Sequence, residues 1–255
     1  MKEESSYTLK ITTTEPETVQ APPSQLVWLA FDGAIADFLA HAGMGYSQAD
    51  TYRPAFDIAD FGLGKTSRSW LIQQIADRIE VMYRQTGLSE NEIEFTLTKP
   101  GAGQVYSTVV FGGTLDSGLN GLAESVDRNN SDRTEMALVL TEEMARNYWL
   151  DLSDDLTVRR EQVINMLANT GAHELGHTLG LEHAREVSVT EPNNLMNYFW
   201  GDETYLKLSE QEFEERTSFL EFADRHYDLF YGQIGFQNEI DILLRNIGSG
   251  TPMGK

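Results

Sequence analysis

Residues 170–184, TGAHELGHTLGLEHA, constrain this chain more than any other stretch, because they space His173, Glu174, His177, Gly180 and His183 as H-E-x-x-H-x-x-G-x-x-H. On a helix, His173 and His177 stand four residues apart, so their imidazoles share one face about one 5.4 Å turn apart and can chelate one ion together. Glu174 points beside them. Its carboxylate is near enough to meet a water on the ion yet offset from the two rings, which suits a general base better than a third ligand. The third ligand has to come from beyond the helix. Gly180 supplies the means: without Cβ it can take a positive φ, end the helix and turn the chain so that His183 meets the ion from another side. Three neutral imidazoles leave a fourth position open, the mark of a catalytic zinc site, whereas structural sites are closed by four protein ligands.

The bland alternative is three histidines satisfied by ordinary hydrogen bonds. The chain holds five His in all, and chance placement of the five fixed positions is on the order of one in 10⁵ for ordinary composition. Zinc is therefore the better reading. H-E-x-x-H alone is a moderate signal; the longer spacing with Gly and a third His is a strong one. His41 and His226 have no motif around them and read as ordinary histidines.

This motif, followed by Asn194-Leu195-Met196-Asn197-Tyr198, resembles the pattern of the metzincin clan of zinc endopeptidases. The resemblance implies that Met196 lies in a Met-turn, an apolar platform beneath the zinc; a lone Met after a loop is otherwise core filler. For Tyr198 it implies the phenol of astacin-like and serralysin-like branches, which approaches zinc and swings to stabilise an oxyanion. The alternative is a buried Tyr whose hydroxyl finds another partner. Ala184 stands where serralysin-like proteins show Pro and astacin-like ones Glu, so the subfamily is open. The implied activity is hydrolysis of peptide bonds in a protein or peptide substrate, with Glu174 as general base, by a secreted, bacterial-type protease. The S1′ pocket would be walled by the segment between His183 and Tyr198.

Two other functions compete. One is a noncatalytic binding domain that keeps zinc for stability, against which Glu174 speaks, since a structural site has no use for a base beside its ligands. The other is a latent protease whose leader occupies the cleft, with Glu15 and Glu17 as carboxylates to reach the zinc.

Composition narrows the partners. The 255 residues carry no Cys, which excludes a disulfide framework, a thiolate ligand and a cysteine switch. The net charge of −21 argues against nucleic acid or an anionic membrane as partner, because phosphate binding is driven by Lys and Arg. Solubility accounts for the acidity; calcium (Ca2+) is a second reading, with Asp127, Asn129, Asn130 and Asp132 as hard donors, although they lack EF-hand spacing. No run approaches a membrane span, and residues 1–25 lack the apolar region of a signal peptide.

Residues 1–24, rich in Thr, Glu and Pro, read as a flexible leader, 25–247 as one catalytic domain and 248–255 as a loose tail. Strands are predicted at 25–31, 92–98, 105–111 and 136–141 from their apolar runs and alternation, and a short edge strand above the cleft at 120–125. Helices are predicted at 66–86, with Leu71, Ile75, Ile79 and Met82 on one face, and at 157–179, carrying the motif. A capping box at Ser209 and Glu212 starts a C-terminal helix to about residue 230, with Phe213, Leu220, Ala223 and Tyr227 on its apolar side. The fold class is α/β, α+β in detail: a twisted, mostly parallel mixed sheet with an antiparallel edge strand, an active-site helix, a Met-turn and a C-terminal helix, as the metzincin layout also implies.

Overall fold

Apolar residues that alternate along short strands build the centre of the molecule. The computed structural model describes residues 24–38, 51–183, 195–196, 226–228 and 235–248. Within them β1 (Gln25–Ala30), β4 (Ile93–Thr96), β5 (Ser107–Phe111), β6 (Gly121–Ala123) and β7 (Met136–Val139) form one sheet in the order β4-β1-β5-β7-β6. The first four in that order run parallel, and β6 lies antiparallel on β7 with Leu122 opposite Leu138. Two short antiparallel pairs flank it: β2 (Ala34–Ile35) with β3 (Tyr52–Arg53), and β8 (His226–Asp228) with β9 (Gly235–Gln237).

The period of two sends Val27, Leu29, Phe31, Val109, Phe111, Ala137 and Val139 into one core and Ala30, Val110, Leu138 and Leu140 into a smaller one on the other face. With both faces covered, β5 is buried along its whole length, as expected of a parallel central strand. Helix α1 (Arg68–Gln85) turns Leu71, Ile75, Ile79 and Met82 to the larger core, and helix α3 (Leu156–Thr178) adds Val163, Ile164 and Leu167. The two helices lock together where the Tyr83 hydroxyl donates to the Ala172 carbonyl at 2.9 Å. Asp155 starts α3 by accepting from the backbone N–H groups of Thr157 and Val158, a cap of the ordinary kind. The ligand-bearing end of α3 is thus an extension of its core face.

The mixed α/β class and the antiparallel edge strand stand as predicted. Element ends shift by a few residues, and two predicted elements change more. Thr141 opens helix α2 (Thr141–Tyr148) instead of ending β7, because the chain leaves the sheet there and Glu142 and Glu143 occupy the first helical turn. The predicted C-terminal helix does not reach residue 230: residues 226–228 are a strand, with Tyr227 paired to Phe236, so a nearby partner strand overrides a helix-like spacing. Residues 209–225 of that helix lie outside the described residues. A helix missing from the sequence reading, α4 (Glu239–Asn246), follows instead; the Asn238 side chain caps it by accepting from Asp241 N–H at 2.9 Å, and Leu243 is buried. The leader, apart from exposed Ser24, and tail residues 249–255 also lie outside the described residues. Among those described, no helix is long and apolar enough to cross a membrane.

Candidate metal centre

Helix α3 ends in the way Gly180 requires. Gly180 has φ +101, its N–H donates to the His177 carbonyl and the Leu181 N–H to the Gly176 carbonyl, both at 2.9 Å. This pair of bonds is a Schellman motif, which satisfies the last carbonyls of the helix and reverses the chain. His183 is delivered back toward His173 and His177 by that reversal.

The three Nε2 atoms converge. His173 to His177 is 3.1 Å, His177 to His183 is 3.0 Å and His183 to His173 is 3.2 Å. Backbone carbonyls settle two of the tautomers. His173 Nδ1 lies 2.7 Å from the Leu195 carbonyl and His177 Nδ1 2.7 Å from the Leu181 carbonyl, and a carbonyl only accepts, so Nδ1 carries the proton and Nε2 keeps its lone pair. Bare lone pairs facing one another at this range repel unless a cation lies among them. Ligands at about 2.0–2.1 Å from a tetrahedral zinc stand about 3.3–3.4 Å apart, a few tenths of an ångström above the spacing found, so the donor set fits such an ion. Burial lowers all three imidazoles, His177 to about 3, which keeps the rings neutral and available as ligands.

Met196 packs against the end of helix α3 that carries the histidines. It is fully buried, and a Cβ on Gly176 would meet its Sδ at 2.8 Å, so the sulfur packs on the helix one residue before His177. The preceding residue, Leu195, provides the carbonyl that orients His173. The segment therefore supports the site through both a side chain and a backbone group.

Glu174 is only 8% exposed and its carboxylate presses on β6. A Cβ on Gly121 would stand 2.5 Å from Oε1 and 2.6 Å from Cγ, and the Ala123 N–H donates to the carboxylate. Burial pushes this acid up to about 8, the Ala123 bond opposing it. A cation among the histidines would bring it down again.

Among the described residues, the three histidines are the one group of three or more His, Asp or Glu whose ligand atoms come together. In the acidic loop suggested for calcium, the two aspartates hydrogen-bond within the loop: Asp127 accepts from Ser131 Oγ at 3.0 Å and Asp132 N–H at 2.7 Å, and Asp132 accepts from Thr134. Tyr198, Glu15, Glu17 and His41 lie outside the described residues, and His226 falls in β8. Gly121 and Ala123, and the Leu181 and Leu195 carbonyls, were not singled out from the sequence. The carbonyls carry no sequence signal, since every residue has one.

An α/β protein with three histidines positioned to bind a metal ion, two on helix α3 and one just beyond it, is what the fold and the site define. No protein-family model matches the chain, and no curated protein does.

Proposed function

We propose that the chain is a zinc-dependent endopeptidase of the metzincin kind, acting outside the cell. One observation carries the reading: Glu174, adjacent in sequence to a ligand, is wedged between the histidine cluster's helix and the terminal strand of the sheet. A base in that position faces whatever lies along the strand. Bound zinc would supply Lewis acidity, polarising the scissile carbonyl and lowering the pKa of a water toward ~7.

The chain's own residues do the rest. β6 pairs with β7 on one side only among the described residues, so its outer edge, apart from the Ala123 N–H that Glu174 takes, offers N–H and C=O groups to an extended peptide. Main-chain pairing of that kind holds a substrate while reading little of its sequence. Glu174 accepts the proton of the attacking water and hands it to the departing amine nitrogen, a task for which the bound cation would keep the carboxylate ionised against the burial that raises it. Tyr198, by resemblance, donates to the oxyanion.

Hydrolysis of unfolded casein, with the zinc content of the protein quantified, tests this. Cleavage by the parent is expected, with loss on chelation, while Glu174→Gln keeps its zinc and loses turnover by about 10²–10⁴. Undiminished cleavage by that variant would mean that another group is the base. A zinc-loaded parent that cleaves nothing would favour the binding-domain or latent reading, which removal of residues 1–24 separates.

A further inference from the structure

Two amide side chains from the C-terminal segment grip the turn that delivers the third histidine. Gln237, at the end of β9, is 7% exposed; its Nε2 donates to the Glu182 carbonyl at 2.7 Å and its Oε1 accepts from the Glu182 N–H at 3.0 Å. One side chain thus pairs with both backbone groups of the residue before His183, as a neighbouring strand would. Asn246, the last residue of α4, donates from Nδ2 to the Leu179 carbonyl at 2.8 Å and to the Arg128 carbonyl at 3.2 Å. A Cβ on Gly180 would stand 2.5 Å from that Nδ2, so the turn closes directly on the amide. The Arg128 guanidinium also pairs with the Glu182 carboxylate.

We infer that Gln237 and Asn246 are positioning residues for the third metal ligand, so that the C-terminal segment sets the metal affinity of the histidine cluster. This rests on the proposed metal site. His173 and His177 are held in register by helix α3 itself, whatever happens downstream. His183 stands on irregular backbone after the helix, which has no such ladder. If the turn were free, its ordering entropy would be charged against metal binding; bonded at Leu179 and Glu182 beforehand, it is preorganised. Partners one shell out from a metal act in this way on ligands generally.

The test compares Gln237→Leu, which keeps bulk and loses both bonds, and Asn246→Ala, at a half-buried helix end that tolerates truncation. Leu243→Ala is the control, since it removes core packing from α4 and leaves both amides. Zinc affinity is read by competition with a chelating dye, Co2+ absorption reports coordination, and backbone hydrogen exchange at 179–183 is followed in metal-free protein. We expect about 10–100-fold weaker zinc binding in the two amide variants, altered Co2+ bands and faster exchange at the turn. Leu243→Ala should melt earlier with near-parental affinity. Parental affinity in both amide variants, or an equal loss in Leu243→Ala, overturns the inference and leaves the metal site standing. A parent that takes up no zinc, or a His173→Ala/His177→Ala variant that binds it like the parent, removes the site and this inference with it.

Discussion

A single methyl group on Gly121 would overlap the Glu174 carboxylate, with Oε1, Cγ and Cδ all within 2.8 Å of the added Cβ. The clash falls on a side chain that can shift, so the consequence belongs to catalysis more than to folding. Gly121→Ala should therefore lower turnover about 10–100-fold, while zinc content stays parental and stability changes by less than about 1 kcal/mol. Casein hydrolysis beside metal analysis and a melting curve checks it; parental turnover would show that Glu174 has room the structure denies. At this scale the convergence of His173, His177 and His183 and the turn at Gly180 were legible, because chelation and helix reversal demand particular residue types at particular spacings. Gly121 was not, since its role is to be absent from a space that two distant segments share.

Between β6 and β7 the connecting loop carries a buried carboxylate that works against the fold. Glu135 accepts from Ser125 Oγ through Oε1, whereas its buried Oε2 has no partner. Burial, opposed by the Ser125 bond and reinforced by Asp127, Glu124 and Asp132, raises the acid from 4.5 to about 7. The folded state then holds a proton that the unfolded state releases. Between pH 4.5 and about 7 the native form binds more protons than the unfolded one, so this group's contribution to stability falls as pH rises through that window and levels off above it. Glu135→Gln, neutral throughout, should match the parent in melting temperature near pH 4.5 and exceed it at pH 8. A difference that stays constant with pH would show that the carboxylate is not the source. Strands β1, β4, β5 and β7 were legible because alternation and apolar runs are local. The β8–β9 pairing and helix α4 were not: a strand of three residues has too short a pattern, and its stability lies in the partner.

Across the whole molecule the proposed metal joins segments that the chain keeps apart. Helix α3, the Gly180 turn with β9 and α4 bonded to it, and the Leu195-Met196 segment all meet at the three imidazoles. Ligand that binds the native state at 100 times its dissociation constant adds about 2.7 kcal/mol. Chelation should thus lower the melting temperature by about 5–10 °C in the parent, with no shift for His173→Ala/His177→Ala. Equal melting of the parent with and without chelator would count against a metal in the native fold.

The sequence by itself determined which three histidines come together, the reversal after α3 and the mixed α/β class, since each follows from residue type and short-range periodicity. Only the tertiary structure decided what touches those residues. That Ala123 donates to Glu174, that Leu195 chooses the tautomer of His173, and that Gln237 and Asn246 hold the turn before His183 are contacts between positions far apart in the chain. They depend on backbone groups common to every residue and on packing across segments, and neither leaves a pattern in the order of side chains.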